Sequence, residues 1–574
     1  MTDVKATGKL KNITENFKNV LISDLEADKK KYYFSCLELP IDERTVFYEC
    51  LGGLGILGDQ RAVFKAMIRV SKKQPEFNRM THIFSVKNKE LADYNLEEFK
   101  GIKNLLIVEK GSRVYYRHLA TAKYLFMDNQ TEDILAKRDE QIFINSGTGI
   151  PIKNSGFEYM LDRTKEGNTV LRSMLNSDFM LCANNYMKDR IYKKAYLGDG
   201  MYAGEFLKIG MPRFDAISKT ARPYILKRLE GLGFDPSKKI ILYAPTWRGD
   251  KRENISYSIT ELMGRIKKMR RNVPKDYEVY LRVHPLVYKE IYRDIAEDEE
   301  LREMVIPQTI DTSELLSVTD VLITDFSSIT MDFVKTGRPI LFYAEDMSEY
   351  IKDRGLLLPL ECLPGAFAES IEDLCYILKA TLDNLDDYNI FYKEKYLRMK
   401  WWTGPACEDR VIETLLKNRD IPDEETINNA ANDGGNSIRF IKKIFTDNIR
   451  SKIHHDETEQ DKKAKIVYYI SKRDFKIPVL ERVKEEIENI DLEKADITIL
   501  REESDNKAIN AYFDTEIPKN IRILLYTNLP YEGDGRSQFI MYDRNRTLGK
   551  ARFDYIREIS KLPVGWSTYS ITRK

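Results

Sequence analysis

Short apolar segments alternate with helix-like segments along most of this 574-residue chain, and that alternation limits the fold more than any other feature. In the first part of the chain a helix is predicted over 60–71. Strands are predicted around it, at 45–48, 81–86, 104–108 and 141–145. Strands that are separated by helices form parallel sheets in which the helices serve as crossovers. The sequence therefore predicts a first Rossmann-like α/β domain.

The same alternation returns after residue 238. A helix over 258–270 opens with Ser258 and Glu261, which have the spacing of a capping box. The strands predicted around it lie at 240–244, 278–283, 321–324 and 339–343. Two successive parallel sheets predict two lobes with a cleft between them, and ligands of such sheets bind outside the carboxyl ends of the strands.

The chain is predicted to begin with a Lys-rich segment (1–40), followed by two Rossmann-like domains (41–220 and 221–417). A linker (418–440) and an accessory α/β region (441–574) follow. The linker is inferred because that stretch is rich in Asn, Asp and Gly and lacks apolar periodicity. The accessory region repeats the α/β pattern with strands at 466–470, 496–500 and 521–526, and it is short for a complete Rossmann domain.

Composition excludes some classes of protein. Lys and Arg total 92 and Asp and Glu total 91, and this balance argues against a dedicated nucleic-acid binder. The six cysteines are scattered and form no CxxC pair, which is typical of reduced thiols in a cytoplasmic protein. We find no apolar run near the roughly 20 residues that a spanning helix needs. Any membrane role is therefore expected to be peripheral, and the lysines at 29–31 are either a solvated helix face or a contact for anionic lipid.

The segment Thr324–Phe333, TDFSSITMDF, carries the strongest local signal for chemistry. A buried strand ends at Thr324, and Asp325, Ser327 and Ser328 follow where a helix should begin. Free backbone N–H groups and serine hydroxyls at such a point suit a phosphate or pyrophosphate. Plain N-capping explains the same residues equally well, since Asp and Ser are favoured there.

Two further strand ends carry polar residues. LRVHP, 281–285, places Arg282 and His284 after one strand, and YAPTWRGD, 243–250, places Thr246 and Arg248 after another. Arginine offers a fixed fork to phosphate oxygens, and histidine can bind phosphate or exchange a proton near neutral pH. Each motif alone also fits an ordinary structured loop. All three are predicted to meet at one sheet edge, and together they indicate a phosphate site more specifically than any one does.

The motifs ILYAPTWR (241–248), LRVHP (281–285), SVTDVLITDFSSITMDF (317–333) and RPILFY (338–343) resemble the donor-domain motifs of the CDP-glycerol glycerophosphotransferase family, whose members build teichoic acids and related polymers. GMPRFD (210–215) and DRGLLLP (353–359) match in order and spacing. The first lobe is similar more loosely, through TVFYE (45–49), LATAKYLFMDN (119–129) and IPIKNSGF (150–157).

The resemblance implies a GT-B fold, a donor domain at 221–417 that binds CDP-glycerol or a related CDP-polyol, and an acceptor-side domain at 41–220 that receives a membrane-bound, lipid-linked primer. It places His284 as the donor-lobe histidine and a catalytic residue. The donor-binding residues that it implies are Thr246, Arg248, Arg282, Asp325, Ser327 and Ser328. Neither a metal nor another cofactor is expected, because helix N-termini and basic side chains stabilise the leaving phosphate in GT-B enzymes.

One motif departs from the family. The family has a Trp-His-Gly-Thr-Pro stretch whose histidine is a candidate general base, and the matching stretch here, 144–151, places Thr148 at that position. A threonine hydroxyl does not accept a proton near neutral pH as an imidazole does. Thr148 nevertheless marks the catalytic position, and Asn145 and Lys153 are the candidate contacts for an acceptor phosphate.

Three functions fit these observations. The leading hypothesis is transfer of a polyol phosphate to the primer with release of CMP, in teichoic-acid-type or capsular polymer synthesis, at the inner face of the cell membrane. A GT-B glycosyltransferase that uses a nucleotide sugar is the second. A non-catalytic binding protein derived from the same fold is the third, and Thr148 motivates it.

Overall fold

The fold is taken from a computed structural model. It describes residues 29–129, 131–132, 135, 137–147, 149–156, 165–196, 198–199, 202, 204–219, 222–248, 258–405, 421–432, 435–446, 464–470, 475–492, 495–502, 506–518 and 521–526. Thr148, Cys407 and the residues before Lys29 are outside the described residues.

The first lobe is built on a seven-stranded parallel sheet with the order β3-β2-β1-β4-β5-β6-β7. Its strands are β1 Asp42–Glu49, β2 Thr81–Val86, β3 Leu105–Glu109, β4 Ala122–Met127, β5 Ile142–Asn145, β6 Phe179–Leu181 and β7 Glu205–Leu207. Its helices are α1 Lys29–Cys36, α2 Gly58–Ser71, α3 Lys89–Glu98, α4 Arg113–Thr121 and α5 Lys165–Asn176, followed by a π-helical stretch, Met187–Ala195. The predicted strands and the helix over 60–71 are present. The central strand β4 was not predicted, because all six of its residues are buried and it lacks an alternating pattern.

The second lobe is built on a five-stranded parallel sheet with the order β12-β11-β10-β8-β9. Its elements in chain order are α6 Phe214–Lys219, α7 Arg222–Glu230, β8 Lys239–Ala244, α8 Ile259–Arg270, β9 Tyr277–Leu281, α9 Pro285–Glu297, α10 Glu299–Met304, α11 Thr312–Val318, β10 Thr319–Thr324, α12 Ile329–Phe333, β11 Ile340–Tyr343, α13 Met347–Arg354, β12 Gly365–Ala368, α14 Ile371–Asp383 and α15 Leu385–Trp402. The four strands and the helix over 258–270 predicted here are all present. The Ser258 hydroxyl accepts a hydrogen bond from the Glu261 backbone N–H, as the capping-box spacing predicts.

The C-terminal region contains a third, three-stranded parallel sheet, β13-β14-β15. Its elements are β13 Ala464–Ile470, α18 Ile477–Glu488, β14 Ala495–Glu502, α19 Lys507–Thr515 and β15 Arg522–Tyr526, and the three strands are those predicted. It has a hydrophobic core of its own, which includes Ile470, Leu480, Ile499 and Phe513.

The predicted linker, 418–440, is wrong for the residues that the structure describes. Two helices occupy this stretch, α16 Glu424–Asn432 and α17 Asn436–Ile441. Phe440 is fully buried and stacks on Phe126 of the first lobe with ring centroids 4.7 Å apart. The prediction failed because the buried apolar residues of this helical segment, at 440, 441, 444 and 445, begin only at the last residue of the assumed linker. The stretch before them therefore showed no apolar periodicity. The chain therefore returns from the second lobe to the core of the first.

Buried charges connect the two lobes. The Arg61 guanidinium of α2 donates to Glu314 of α11 at 3.0 and 2.9 Å and to Glu98 of α3 at 3.1 Å. Lys65 contacts Glu314 at 2.7 Å, and Arg228 of α7 contacts Glu314 at 3.1 Å and Glu98 at 2.9 Å. Burial disfavours the charged Glu314 carboxylate, but Arg61 and Lys65 outweigh that effect and lower its pKa to about 2. These buried ion pairs join the first lobe to the second.

We expect Phe440→Ala to lower the free energy of unfolding by about 3–5 kcal/mol, because it leaves a cavity in the core of the first lobe. The matched control is Ile438→Ala in the same helix, whose side chain is 47% exposed and whose loss should change stability by no more than about 0.5 kcal/mol. Thermal denaturation of both variants measures the difference. Equal midpoints for the two would show that α17 does not pack on the first lobe.

Glu314→Ala should destabilise the protein by about 3–5 kcal/mol, since it leaves the buried Arg61 guanidinium short of a counter-charge. Asp383→Ala is the control. It removes an exposed pair with Lys379 on α14, and such pairs contribute less than about 1 kcal/mol. The measurement is the urea midpoint of each variant. A Glu314→Ala midpoint equal to that of the control would contradict a network that holds the lobes together.

Candidate active site

The order of the second sheet reverses between β8 and β10. The chain runs from β8 outward to β9 on one side, and β10, β11 and β12 lie on the other side. In open parallel sheets this switch point leaves a crevice at the carboxyl ends of the two central strands, and ligands bind there. Two of the three predicted motifs, at 245–248 and 325–328, directly follow these two strands.

Thr246, Arg248 and Asp325 are brought together at this switch point. The Thr246 backbone N–H donates to the Asp325 carboxylate at 2.9 Å, and the Thr246 hydroxyl donates to the same oxygen. Arg248 Nη1 donates to the other carboxylate oxygen at 2.8 Å and to the Thr246 carbonyl at 2.9 Å. Asp325 is buried, so its carboxylate fixes the loop after β8 against the loop after β10.

Arg248 is also held from α13. Its Nε and Nη2 bind the two oxygens of Asp346, and its guanidinium carbon lies 4.8 Å from the ring centroid of Tyr350. Tyr350 in turn stacks on Phe326 with centroids 4.4 Å apart. Burial works against the charged guanidinium, but Asp346 and Asp325 outweigh it and raise the pKa of Arg248 above its ordinary value. The result is a fixed cation with a side chain that remains partly exposed.

The two serines lie at the start of the short helix α12. The Ser327 hydroxyl accepts a hydrogen bond from the Ile329 N–H at 3.4 Å, which leaves its proton available as a donor. Ser328 lies against the loop after β5 of the first lobe, because a Cβ added at Gly149 would fall 2.8 Å from the Ser328 Oγ. A larger residue at position 149 would require the Ser328 side chain to shift. Gly149 of the first lobe is therefore adjacent to a predicted phosphate-binding serine.

Lys153 reaches the same group of residues from the first lobe. It forms an antiparallel bridge with Leu356, and the Leu357 N–H donates to the Ile152 carbonyl at 2.7 Å. The Lys153 ammonium lies 5.9 Å from the Tyr350 ring centroid. The strap 152–154 is thus joined to the segment that follows α13, the helix that holds Arg248.

His284 follows β9, next to β8, and is the N-terminal cap of α9. Its Nδ1 accepts a hydrogen bond from the Leu286 N–H at 3.3 Å, its side chain is exposed, and its ring lies 6.4 Å from that of Trp247. His82, in contrast, is buried in the first lobe, and burial lowers its pKa to about 3. His284 is thus placed at the same sheet edge as the other donor-side candidates.

Two predicted residues have other roles in this geometry. The buried Arg282 guanidinium donates to the carbonyls of Ile306, Pro307 and Ile310, so it anchors the loop after α10 and is not part of the Arg248 group. Burial lowers its pKa to about 10. Asn145 is also buried. Its side-chain amide donates a hydrogen bond to the Ser173 hydroxyl and accepts one from the Gly147 N–H, and these hydrogen bonds shape the loop after β5.

Sequence reasoning missed a charged group that joins the lobes beside the serines. Arg213, in GMPRFD, donates to Asp59 of α2 at 2.6 Å and to Asp332 of α12 at 3.0 Å, and all three are buried. Burial raises the pKa of Asp59 although Arg213 opposes the shift. The motif containing Arg213 was noted, but its partners are 154 and 119 residues away in the chain, so no local pattern pointed to the contact.

The described part of the chain has neither a metal-binding cluster nor a membrane-spanning helix. No group of three or more His, Cys, Asp or Glu side chains there has an arrangement that would hold a metal ion. Every helix there is too short or too polar to cross a lipid bilayer.

Comparisons with known proteins agree with the geometry. Residues 31–417 match the family model described as CDP-glycerol:poly(glycerophosphate) glycerophosphotransferase. The chain is 26% identical over 398 residues to the teichoic acid poly(glycerol phosphate) polymerase of Bacillus spizizenii. This alignment covers 66% of the present chain and 93% of the relative. The chain is 27% identical over 392 residues to the polymerase of the same name from Staphylococcus epidermidis, and there it spans half of the relative's length.

A solved structure of the wall teichoic acid polymerase TagF superposes with a TM-score of 0.55 at 22% identity, covering 78% of this chain and 98% of that one. This likeness, together with the two parallel sheets, confirms the predicted GT-B-like fold. The family match covers two thirds of the chain and includes every residue of the candidate site. The chain belongs to the CDP-glycerol:poly(glycerophosphate) glycerophosphotransferase family.

Proposed function

We propose that the protein transfers a polyol phosphate, glycerol phosphate in the first instance, from a CDP-linked donor to a lipid-linked primer and releases CMP. The observation that carries the proposal is the fixed cation at the switch point of the second sheet. Arg248 is held there by Asp325 and Asp346, and Ser328, three residues after Asp325, lies close to Gly149 of the first lobe. A preorganised guanidinium with adjacent hydroxyl donors suits a pyrophosphate whose negative charge grows as a bond breaks.

In the reaction a primer hydroxyl oxygen attacks the phosphorus that bears the glycerol. The new O–P bond forms as the bond from that phosphorus to the bridging oxygen breaks, and CMP leaves with the bonding electrons. Arg248, Ser327, Ser328 and His284 stabilise the charge on the leaving phosphate. The proton of the primer hydroxyl is transferred to a base. That base is not Thr148, because a threonine side chain does not accept a proton at neutral pH.

The two lobes divide the task in this proposal. The second lobe, within 221–417, binds the CDP-polyol, and the first lobe, within 41–220, receives the acceptor. Lys153 is the acceptor-side cation, because its strap is hydrogen-bonded to the donor side of the cleft. Asn145 and Arg282 support their loops.

A lipid-linked primer requires the protein to work at the inner surface of the cell membrane, as a peripheral protein. The resemblance to the family supports this location. Flotation of the full chain with anionic vesicles measures it directly, and failure to float would remove the membrane from the proposal.

The test of the function is CMP release from CDP-glycerol, with CDP-ribitol and a UDP-sugar in parallel and a polyol-phosphate-primed lipid analogue as acceptor. Primer-dependent release from a CDP-polyol is expected. Faster turnover of the UDP-sugar would instead establish a nucleotide-sugar glycosyltransferase. Activity that appears only after Thr148→His would identify the natural protein as a non-catalytic binding protein.

His284→Ala and His284→Asn should both reduce CMP release at least about a hundredfold, because each removes the imidazole from the leaving phosphate. Asparagine is a strong N-terminal cap, so His284→Asn preserves the start of α9 and should denature at the temperature of the natural protein. Steady-state kinetics and thermal denaturation of both variants provide the check. Full activity in His284→Asn would show that the only role of His284 is to cap the N-terminus of α9.

Arg248→Lys should lower kcat/KM for CDP-glycerol at least about tenfold. Lysine keeps the charge but cannot bridge two carboxylates, and each charge-assisted hydrogen bond contributes about 1.5–3 kcal/mol. The control is Arg265→Lys, a nearby arginine that pairs with Glu345 at 2.7 Å, and it should retain kcat/KM. Equal losses in the two variants would indicate a general effect of replacing arginine at this surface.

A further inference from the structure

The first sheet has a switch point of its own, between β1 and β4, and its residues have no role in the proposal above. The chain runs from β1 to β2 and β3 on one side, and β4 to β7 lie on the other. The loop after β1 has positive φ at Leu51, Gly53 and Gly55. The Leu51 N–H donates to the carboxylate of Asp128, which follows β4, so the two loops enclose the crevice where such sheets bind ligands.

Asn129 lies at this crevice with its hydrogen-bonding groups unused. Its side chain is 3% exposed, and neither its Oδ1 nor its Nδ2 has a hydrogen-bond partner. A buried carboxamide without partners costs free energy, and the great majority of buried polar groups in native proteins are paired. An amide in this state at a switch point indicates a binding group that is complete only when a ligand is present.

The neighbouring carboxylate of Glu49 is satisfied by other side chains. The buried Glu49 carboxylate, at the end of β1, accepts from the Ser85 hydroxyl at 2.8 Å, the Lys110 ammonium at 2.7 Å and the Tyr115 hydroxyl at 3.0 Å. Glu49 therefore stabilises the buried side of the crevice. Both of its carboxylate oxygens already accept hydrogen bonds from protein groups. Asn129 differs from it in having both kinds of group available.

The chemistry of a carboxamide selects the ligand. Oδ1 needs a donor and Nδ2 needs an acceptor, and a hydroxyl or a vicinal diol supplies both, whereas a phosphate oxygen supplies only acceptors. We propose that Asn129 is a specificity-determining residue of the acceptor site and binds hydroxyls of a polyol unit of the primer at the β1/β4 switch point. This inference rests on the proposed function, in which the first lobe receives the primer.

Asn129→Leu tests the inference, since leucine has nearly the same shape and no polar atom. The probe is a soluble oligomer of three 1,3-linked glycerol phosphate units, titrated by calorimetry into the full chain. We expect the variant to bind the oligomer about tenfold more weakly, because the amide's hydrogen bonds are lost. Binding of CDP-glycerol, measured in the same way, should be unchanged.

Stability separates a binding role from a structural one. Because the amide has no partner in the unliganded protein, Asn129→Leu should keep or raise the thermal midpoint. Asn95→Leu is the matched control. Asn95 is equally buried in the same lobe, but its amide accepts from the Ile56 N–H at 3.1 Å and donates to the Leu91 carbonyl at 2.6 Å, so its loss should lower the midpoint.

Three results would overturn the inference: equal affinity of the natural protein and Asn129→Leu for the oligomer, no binding of the oligomer by the natural protein, or a midpoint in Asn129→Leu as low as in Asn95→Leu. The first would mean that Asn129 holds water only. The titration does not depend on turnover. Absence of CMP release with Asn129-dependent oligomer binding would therefore refute the proposed transfer and leave this site in place.

Discussion

The buried ion pairs of Arg213 determine how the two lobes meet. One guanidinium lies between Asp59 of the first lobe and Asp332 of the second, at a depth where an unpaired charge would cost several kcal/mol. Asp332 is on the short helix that Ser328 precedes. The contact therefore sets the distance between the donor-side serine and the first lobe, where Gly149 touches it. The relative placement of Ser328 and Gly149 therefore depends on this arginine.

Sheet topology explains why the site lies where it does. Thr246 and Arg248 follow one central strand of the second sheet, and Asp325 follows the other, so a parallel sheet brings them together without a long loop. Asp325 then uses its carboxylate to join the two strand ends. The same rule applied to the first sheet leads to Asn129. Each lobe thus has one switch point, and in the proposed reaction the two switch points hold the two substrates.

The sequence was sufficient for features that depend on local pattern. Most strands, the Ser258 cap and the grouping of Thr246, Arg248 and Asp325 follow from strand ends that can be recognised in the sequence. It was insufficient where the deciding partner is distant. Arg282 has the side chain of a phosphate ligand, but its partners are backbone carbonyls more than 20 residues away. The strand β4 was missed because it is buried on both faces, and residues 424–441 were misread because their apolar half lies beyond the assumed boundary.

The contact between Gly149 and Ser328 also constrains the path of the acceptor. The Cβ position of residue 149 would lie 2.8 Å from the Ser328 Oγ, so a polyol does not fit between these two residues in this arrangement of the lobes. In the proposed reaction a primer hydroxyl therefore reaches the donor from the crevice beside β1 and β4, or the lobes separate. The buried charges of Arg61, Glu314 and Arg213 oppose separation, since opening would expose or unpair them. Approach along the first sheet leaves these pairs intact, and it is the route that the site proposed at Asn129 implies.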